Sequence, residues 1–180
     1  MDPVDHFQQM ARNNAWSNLR LLRACGQLSQ TEFTATRVGF FPSIMLTLNH
    51  ILTIDWYYLD ALLGEGRGLS VFEPEYPFDD CQSLAAAQSA ADKRLIGFCD
   101  GLNADGFAIE IILDRGGKKA PPERVDAILL HLFQHQIHHR GQVHTMLTGT
   151  QVPPPQLDEY FMRGDHERRR RDLEELGYRD

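Results

Sequence analysis

The sequence predicts an all-α protein, a four-helix bundle with an extra helix at its C-terminal end. Three observations carry this expectation. Four long segments repeat apolar residues at three- and four-residue spacing. Each segment opens on a capping residue or a proline and closes on glycine or proline. Strand signal is confined to one short stretch, Phe107 to Leu113. At 180 residues, with 42% apolar and 24% charged, the chain reads as one domain over 1–180. Its core is expected over about 2–150 and a C-terminal extension over 151–180. A chain this long buries a core without disulfides or a structural metal.

Taken in order, Asp2 followed by Pro3 is a helix start, and the first helix is expected to run through Trp16, Leu19 and Leu22 to about Leu28. Ser29 to Gly39 reads as a connector. Phe41-Pro42-Ser43 opens the second helix, which continues to Leu63 and stops at Gly64, Gly66 and Gly68. A loop over residues 64 to 79 leads to Asp80, the cap of a third helix, CQSLAAAQSAADKRLIGFCDGL, whose alanines suit close packing. Asn103 to Gly106 is a turn, and Phe107 to Leu113 reads as a strand or extended arm. Pro121-Pro122-Glu123 starts the fourth long helix, which ends near Leu147 before Pro153-Pro154-Pro155. A charged helix over Gln156 to Leu176 closes the chain.

Composition excludes several function classes. The formal charge is −7, and the one basic run, Arg168 to Arg171, is flanked by His166-Glu167 and Asp172, so no nucleic-acid partner is expected. That run reads as a solvated helix with i,i+4 pairs. Cys25, Cys81 and Cys99 are odd in number and form no CxxC pair, which argues against a disulfide framework and a thiolate zinc site. The opening MDPVDHFQQMARNNAW is polar and acidic, and no stretch has eighteen uninterrupted apolar residues. The expectation is a cytoplasmic protein with no membrane partner.

The chemistry is concentrated in HLFQHQIHHRGQVH, residues 131 to 144, which holds five of the eight histidines. On a helical wheel with His131 at zero, the apolar stripe runs from about 60° (Ile128, Met146) to about 160° (Leu129, Leu147). His135 at about 40° and His139 at about 80° face it, His131 and His138 flank it, and His144 at about 220° points away. Imidazoles at i and i+4 suit two adjacent coordination positions on one metal, and a third ligand is then expected from another helix. His50 stands mid-stripe on the second helix among Leu46, Ile54, Tyr57 and Ala61. Alone it reads as a core histidine bonded to a carbonyl or carboxylate; with the inward pair, a three-imidazole metal site becomes the better reading.

Other residues keep two readings each. Asp55 is a candidate to orient a ligand imidazole or to pair helices, Gln142 to reach a bound ligand or be a buried amide, and His138 to support a ligand or donate a structural bond. Arg140 points away from the metal face, which suits an ion pair with another element. Gly141, unfavourable inside a helix, suggests a close backbone or helix approach. Gln136 stands where an HExxH metalloprotease has its glutamate, which disfavours that activity.

The run HLFQHQIHHRGQVHTML and the segment FFPSIMLTLNHILTIDWYYLDALLG, whose His is followed five residues later by Asp and then an aromatic, resemble the signature of the DinB-like superfamily, which includes the YfiT-type proteins. The likeness covers about residues 5 to 165. It implies a bundle with up-down-down-up helix directions, often a homodimer, and a divalent metal, zinc or nickel, held by three histidines. By motif position these are His50, His135 and His139. It also implies a metal-activated low-molecular-weight thiol as co-substrate, as in bacillithiol and mycothiol transferases and maleylpyruvate isomerase. A non-catalytic metal-binding module acting through a partner surface is the competing expectation, with His131 or His138 closing the coordination shell.

Overall fold

The computed structural model describes residues 2–178. The first helix, α1 (Pro3–Cys25), is capped by Asp2, whose carboxylate accepts the Val4 N–H at 3.1 Å. It ends three residues before the expected Leu28, because the Gly26, Gln27 and Leu28 amides fold back onto the carbonyls of Leu22, Ala24 and Cys25. The connector contains a short helix, α2 (Gln30–Thr34), capped by Ser29. In α3 (Ile44–Leu63) the cap is Ser43, which accepts the Leu46 N–H, so Pro42 lies outside the helix rather than in its first turn. Gly64 closes α3 in the left-handed conformation. Helix α4 (Cys81–Gly101) starts at the Asp80 cap. Residues Glu110–Ile111 (β1) and Glu123–Arg124 (β2) form a two-residue antiparallel ladder, which draws Glu123 out of the expected helix start. Helix α5 accordingly covers Val125–Leu147.

Contacts between helices set the architecture. Packing joins α1 to α4, α4 to α3, α3 to α5 and α5 to α1. The pairs Arg12–Asp100 and Leu22–Cys81 make α4 antiparallel to α1, while His50–His135 and Tyr58–His131 make α5 antiparallel to α3. Phe7–Phe133 and Arg140–Asn14 make α5 parallel to α1. The directions are therefore up, down, down, up. Leu52, Leu59, Leu84, Leu95, Leu129 and Leu132 fill the centre and are each at most 2% exposed. At roughly 1.5–3 kcal/mol per buried aliphatic side chain, this core is the main favourable term.

Across the middle of this core runs a polar network to which all four long helices contribute. The Arg140 guanidinium of α5 donates to the side-chain carbonyls of Asn14 and Asn18 of α1, with Gln136 at 3.4 Å. Asn14 and Asn18 donate to Asp92 of α4 at 3.1 and 2.9 Å. Gln88 donates to Asp55 of α3 at 2.6 Å, and Gln136 donates to the other Asp55 oxygen. Burial, then the charge of Asp92, pushes the Asp55 carboxyl up to about 7. Burial likewise raises Asp92 to about 6 against the hydrogen bonds from Asn18 and Gln88. Burial lowers Arg140 to about 10 against the attraction of Asp92 and Asp55. Arg140 thus reaches another element as expected, but through amides: among the described residues it forms no direct ion pair.

Residues 151 to 178 return along α1. The expected helix over Gln156 to Leu176 is shorter, α6 (His166–Glu175), because Tyr160 leaves the chain axis to pack on Trp16 at 5.5 Å. Leu173 joins the same cluster, and the Arg20 guanidinium lies 4.3 Å over the indole ring. Asp172, 8% exposed, takes Arg20 Nε at 2.7 Å and Arg23 Nη1 at 2.8 Å. The basic run behaves as a solvated face, Arg170 pairing with Glu174 at i+4 and Glu167 at i−3.

Two outcomes are expected. Asp172→Ala removes both charge-assisted bonds and weakens docking of α6 by about 1–3 kcal/mol; amide exchange should rise over α6 and around Tyr160 while α3, α4 and α5 keep their protection. For Asp55, the folded state binds its proton more tightly than the unfolded chain, so its contribution to stability is present below about pH 4 and is lost as pH rises through about 7. Asp55→Asn removes that dependence, and the Gln88 Oε1, buried without a partner, can turn to accept the new amide. In urea unfolding from about pH 4 to about pH 8, the parent should lose about 2–4 kcal/mol relative to the variant. Parallel stability curves would refute the assignment.

Candidate metal centre

The seam between α3 and α5 brings together His50, His135 and His139, whose ligand atoms lie within 4.8 Å of one another. His50 Nε2 faces His135 Nε2 at 3.0 Å. The ring centroids stand 4.9 Å (His50–His135), 4.7 Å (His50–His139) and 4.4 Å (His135–His139) apart. His139 is buried and the other two are half-buried. The one-turn spacing of His135 and His139 stacks their rings on one face of α5, and the antiparallel register brings His50 between them from α3.

The electrostatics suit a cation. Burial, and then the neighbouring His139, lowers His50 to about 4. Burial, then His139 and His50, lowers His135 to about 3. Burial lowers His139 as well, against the hydrogen bond its ring donates to Gln142. All three rings are therefore neutral near pH 7 and keep lone pairs for coordination. His139 Nδ1 donates to Gln142 Oε1 at 2.9 Å, which leaves its Nε2 lone pair free, and the same amide donates to His138 Nε2 at 3.0 Å. One orientation of Gln142 satisfies both rings, so this residue positions the His139 ring, and exposed His138 serves as a bonded neighbour. His135 Nδ1 is buried without a partner. A cation at Nε2 would settle that ring's tautomer by leaving the proton on Nδ1. Two nitrogens on one tetrahedral zinc stand about 3.3 Å apart, a separation close to the His50–His135 gap, so the donor set fits a borderline divalent cation.

The remaining candidates separate from the trio. Asp55 points into the polar network and pairs helices rather than orienting an imidazole. His131 is exposed, its ring 6.3 Å from His135 and edge-on to Tyr58 at 5.4 Å. His144 Nε2 lies 3.1 Å from the Pro155 carbonyl. Gly141 is not packed against any backbone: a Cβ there would meet nothing within 4 Å, and it faces an open groove beside Ile137 and Phe161.

Sequence reasoning missed two contributors. Phe41 lies over His50 at 4.4 Å and 5.8 Å from His139, so the segment before α3 roofs the site with an aromatic ring. Its signal was the pair Phe40-Phe41 just ahead of a helix cap. The second is the set Asn14, Asn18, Gln88 and Asp92, two i,i+4 polar pairs on otherwise apolar faces, open to the same reading as His50.

The chain is 28% identical over 121 residues, 66% of its own length and 72% of the relative's, to a Bacillus subtilis (strain 168) protein described as uncharacterized protein YizA. The model of the DinB family matches residues 2–170, and with that match across nearly its whole length the chain belongs to the DinB family.

Proposed function

We propose that this protein is a metal-dependent enzyme in which His50, His135 and His139 hold a divalent cation, zinc or nickel, that activates a low-molecular-weight thiol, or water, for attack on a small electrophile. The observation that carries this reading is that, among the described residues, no fourth side chain joins the trio: His131 and His138 both stand apart from it, and His138 is engaged by Gln142. A site held by three side chains keeps a position for a reactant, whereas a purely structural site is closed by four. A cation held there supplies the positive charge that lowers the pKa of a thiol or water brought to it, giving a nucleophile near neutral pH.

The chain's own residues bind, orient and shield. Neutral imidazoles offer lone pairs without first losing a proton. Gln142 fixes the His139 ring, and Phe41 keeps bulk water from one side of the trio. No cysteine of the chain is poised as nucleophile: burial pushes the Cys25 thiol up strongly, Cys99 up to about 12 and Cys81 up to about 11. Gln136 is spent on Asp55 and the site has no glutamate beside its HxxxH pair, which speaks against peptide hydrolysis.

Protein purified without chelator is expected to hold about one divalent ion per chain by elemental analysis, with large losses in His50→Ala, His135→Ala and His139→Ala. Metal retained in all three variants overturns the ligand set. Gln142→Ala should weaken metal binding about 10–100-fold in a competitive chelator titration while the fold stays intact. Turnover across a panel of thiols and electrophiles should vanish on metal removal and return on readdition; a metal-replete protein inert to the whole panel sinks the enzymatic reading.

A further inference from the structure

One turn along the α3–α5 seam from the histidines lies a hollow of about 160 Å³. Leu113 and Ile128 form its buried floor, and Tyr58, Arg115, Glu123 and His131 its walls. The two charged walls are held independently. Arg115 sits in a turn anchored by the Tyr57 hydroxyl, which donates to the Asp114 carbonyl at 2.6 Å. The Asp114 carboxylate accepts from the Gly116 and Leu69 amides at 2.9 and 3.1 Å and makes no ion pair with its neighbour Arg115. That close approach requires glycine at position 68: φ is +55°, and a Cβ would fall 2.3 Å from Asp114 Oδ2. Glu123 is fixed from another direction, its backbone paired with Ile111 in the β1–β2 ladder. Arg115 and Glu123 line one hollow without pairing with each other, and among the described residues neither has another ion-pair partner. The Arg115 guanidinium stands close enough to the Tyr58 hydroxyl to oppose the rise that burial imposes on it.

We infer that this hollow is an end-group subsite of the metal centre that binds the α-amino-acid end of a low-molecular-weight ligand, the carboxylate on Arg115 and the ammonium on Glu123. The inference rests on the proposed function for what happens at the other end of the ligand. His131 and His135 are one helical turn apart, a rise of about 6 Å, so head group and reacting atom are separated by about two extended residues. That length selects thiols or electrophiles of dipeptide to tripeptide size and disfavours free cysteine, whose sulfur and carboxylate are too close to span the two sites. Apolar ligands gain nothing from the charged walls.

S-methylglutathione tests the subsite alone, because it carries a free γ-glutamyl amino-acid end and a blocked sulfur. In calorimetric titration of the metal-replete protein it should bind the parent and lose about tenfold in affinity in each of Arg115→Gln and Glu123→Gln, with metal content unchanged. Its N-acetyl derivative should bind the parent more weakly and be indifferent to Glu123→Gln. No binding to the parent, or equal binding to the parent and Arg115→Gln, overturns the subsite. Arg115-dependent binding without metal-dependent turnover of any thiol keeps the subsite and removes the thiol-activating function, so the two failures are distinct.

Discussion

The structure depends on the buried network that runs from Asp55 through Gln136 and Gln88 to Asp92, Asn14, Asn18 and Arg140. Leucines packing against leucines tolerate small slips along a helix seam, because one apolar contact resembles the next. Two carboxylates and a guanidinium without solvent tolerate none, since a slip strands a charge or an amide at a cost of several kcal/mol. Each long helix supplies at least one member, so a single arrangement satisfies all four at once. Gln136 lies between His135 and His139, and Asp55 lies just past His50, so the bond between them sets the register that makes the imidazoles converge.

The two buried polar clusters make opposite demands on pH. Asp55 and Asp92 hold protons more tightly in the fold than outside it and favour acid, while His50 and His135 resist protonation and favour neutral or basic conditions. The bundle therefore combines a carboxylate cluster favoured in acid with a histidine cluster whose lone pairs are free for a cation only above it. Placing the carboxylates beyond Gln136 rather than against the imidazoles keeps these demands apart. Burial keeps His50 and His135 neutral despite the nearby charge of Glu75, which suits a site that could take its positive charge from a cation. On the outer side, Phe41 and the Arg115 turn come from connectors, whereas the three histidines come from helices α3 and α5.

Much of this was legible beforehand wherever one residue type carries a local physical signal. Asp2, Ser43 and Asp80 mark helix starts because an unpaired backbone N–H needs an oxygen, whatever the rest of the chain does. His135, His139 and His50 were found because a polar ring on an apolar stripe is costly unless something holds it. The misreadings came from competition between elements. Glu123 has helical sequence around it but pairs with Ile111 from 12 residues upstream, and the segment from Gln156 gives up its helix to dock Tyr160 on Trp16. Gly141 inside a helix suggests a packing neighbour but faces open space, which is a fact about the surface and not about the helix.

By itself, the sequence determined the helical class, most helix boundaries and the identity of the three convergent histidines, because periodicity, capping and burial of polar rings act within a turn or two of the chain. The tertiary structure alone decided that Asn14, Asn18, Gln88, Asp92 and Arg140 form one network, that Phe41 covers the site, that Gln142 serves two imidazoles, and that Arg115 and Glu123 share one hollow. Each of these depends on which side chains meet across a seam after dozens of intervening residues. Such meetings follow from the joint packing of all four helices, and no local stretch encodes them.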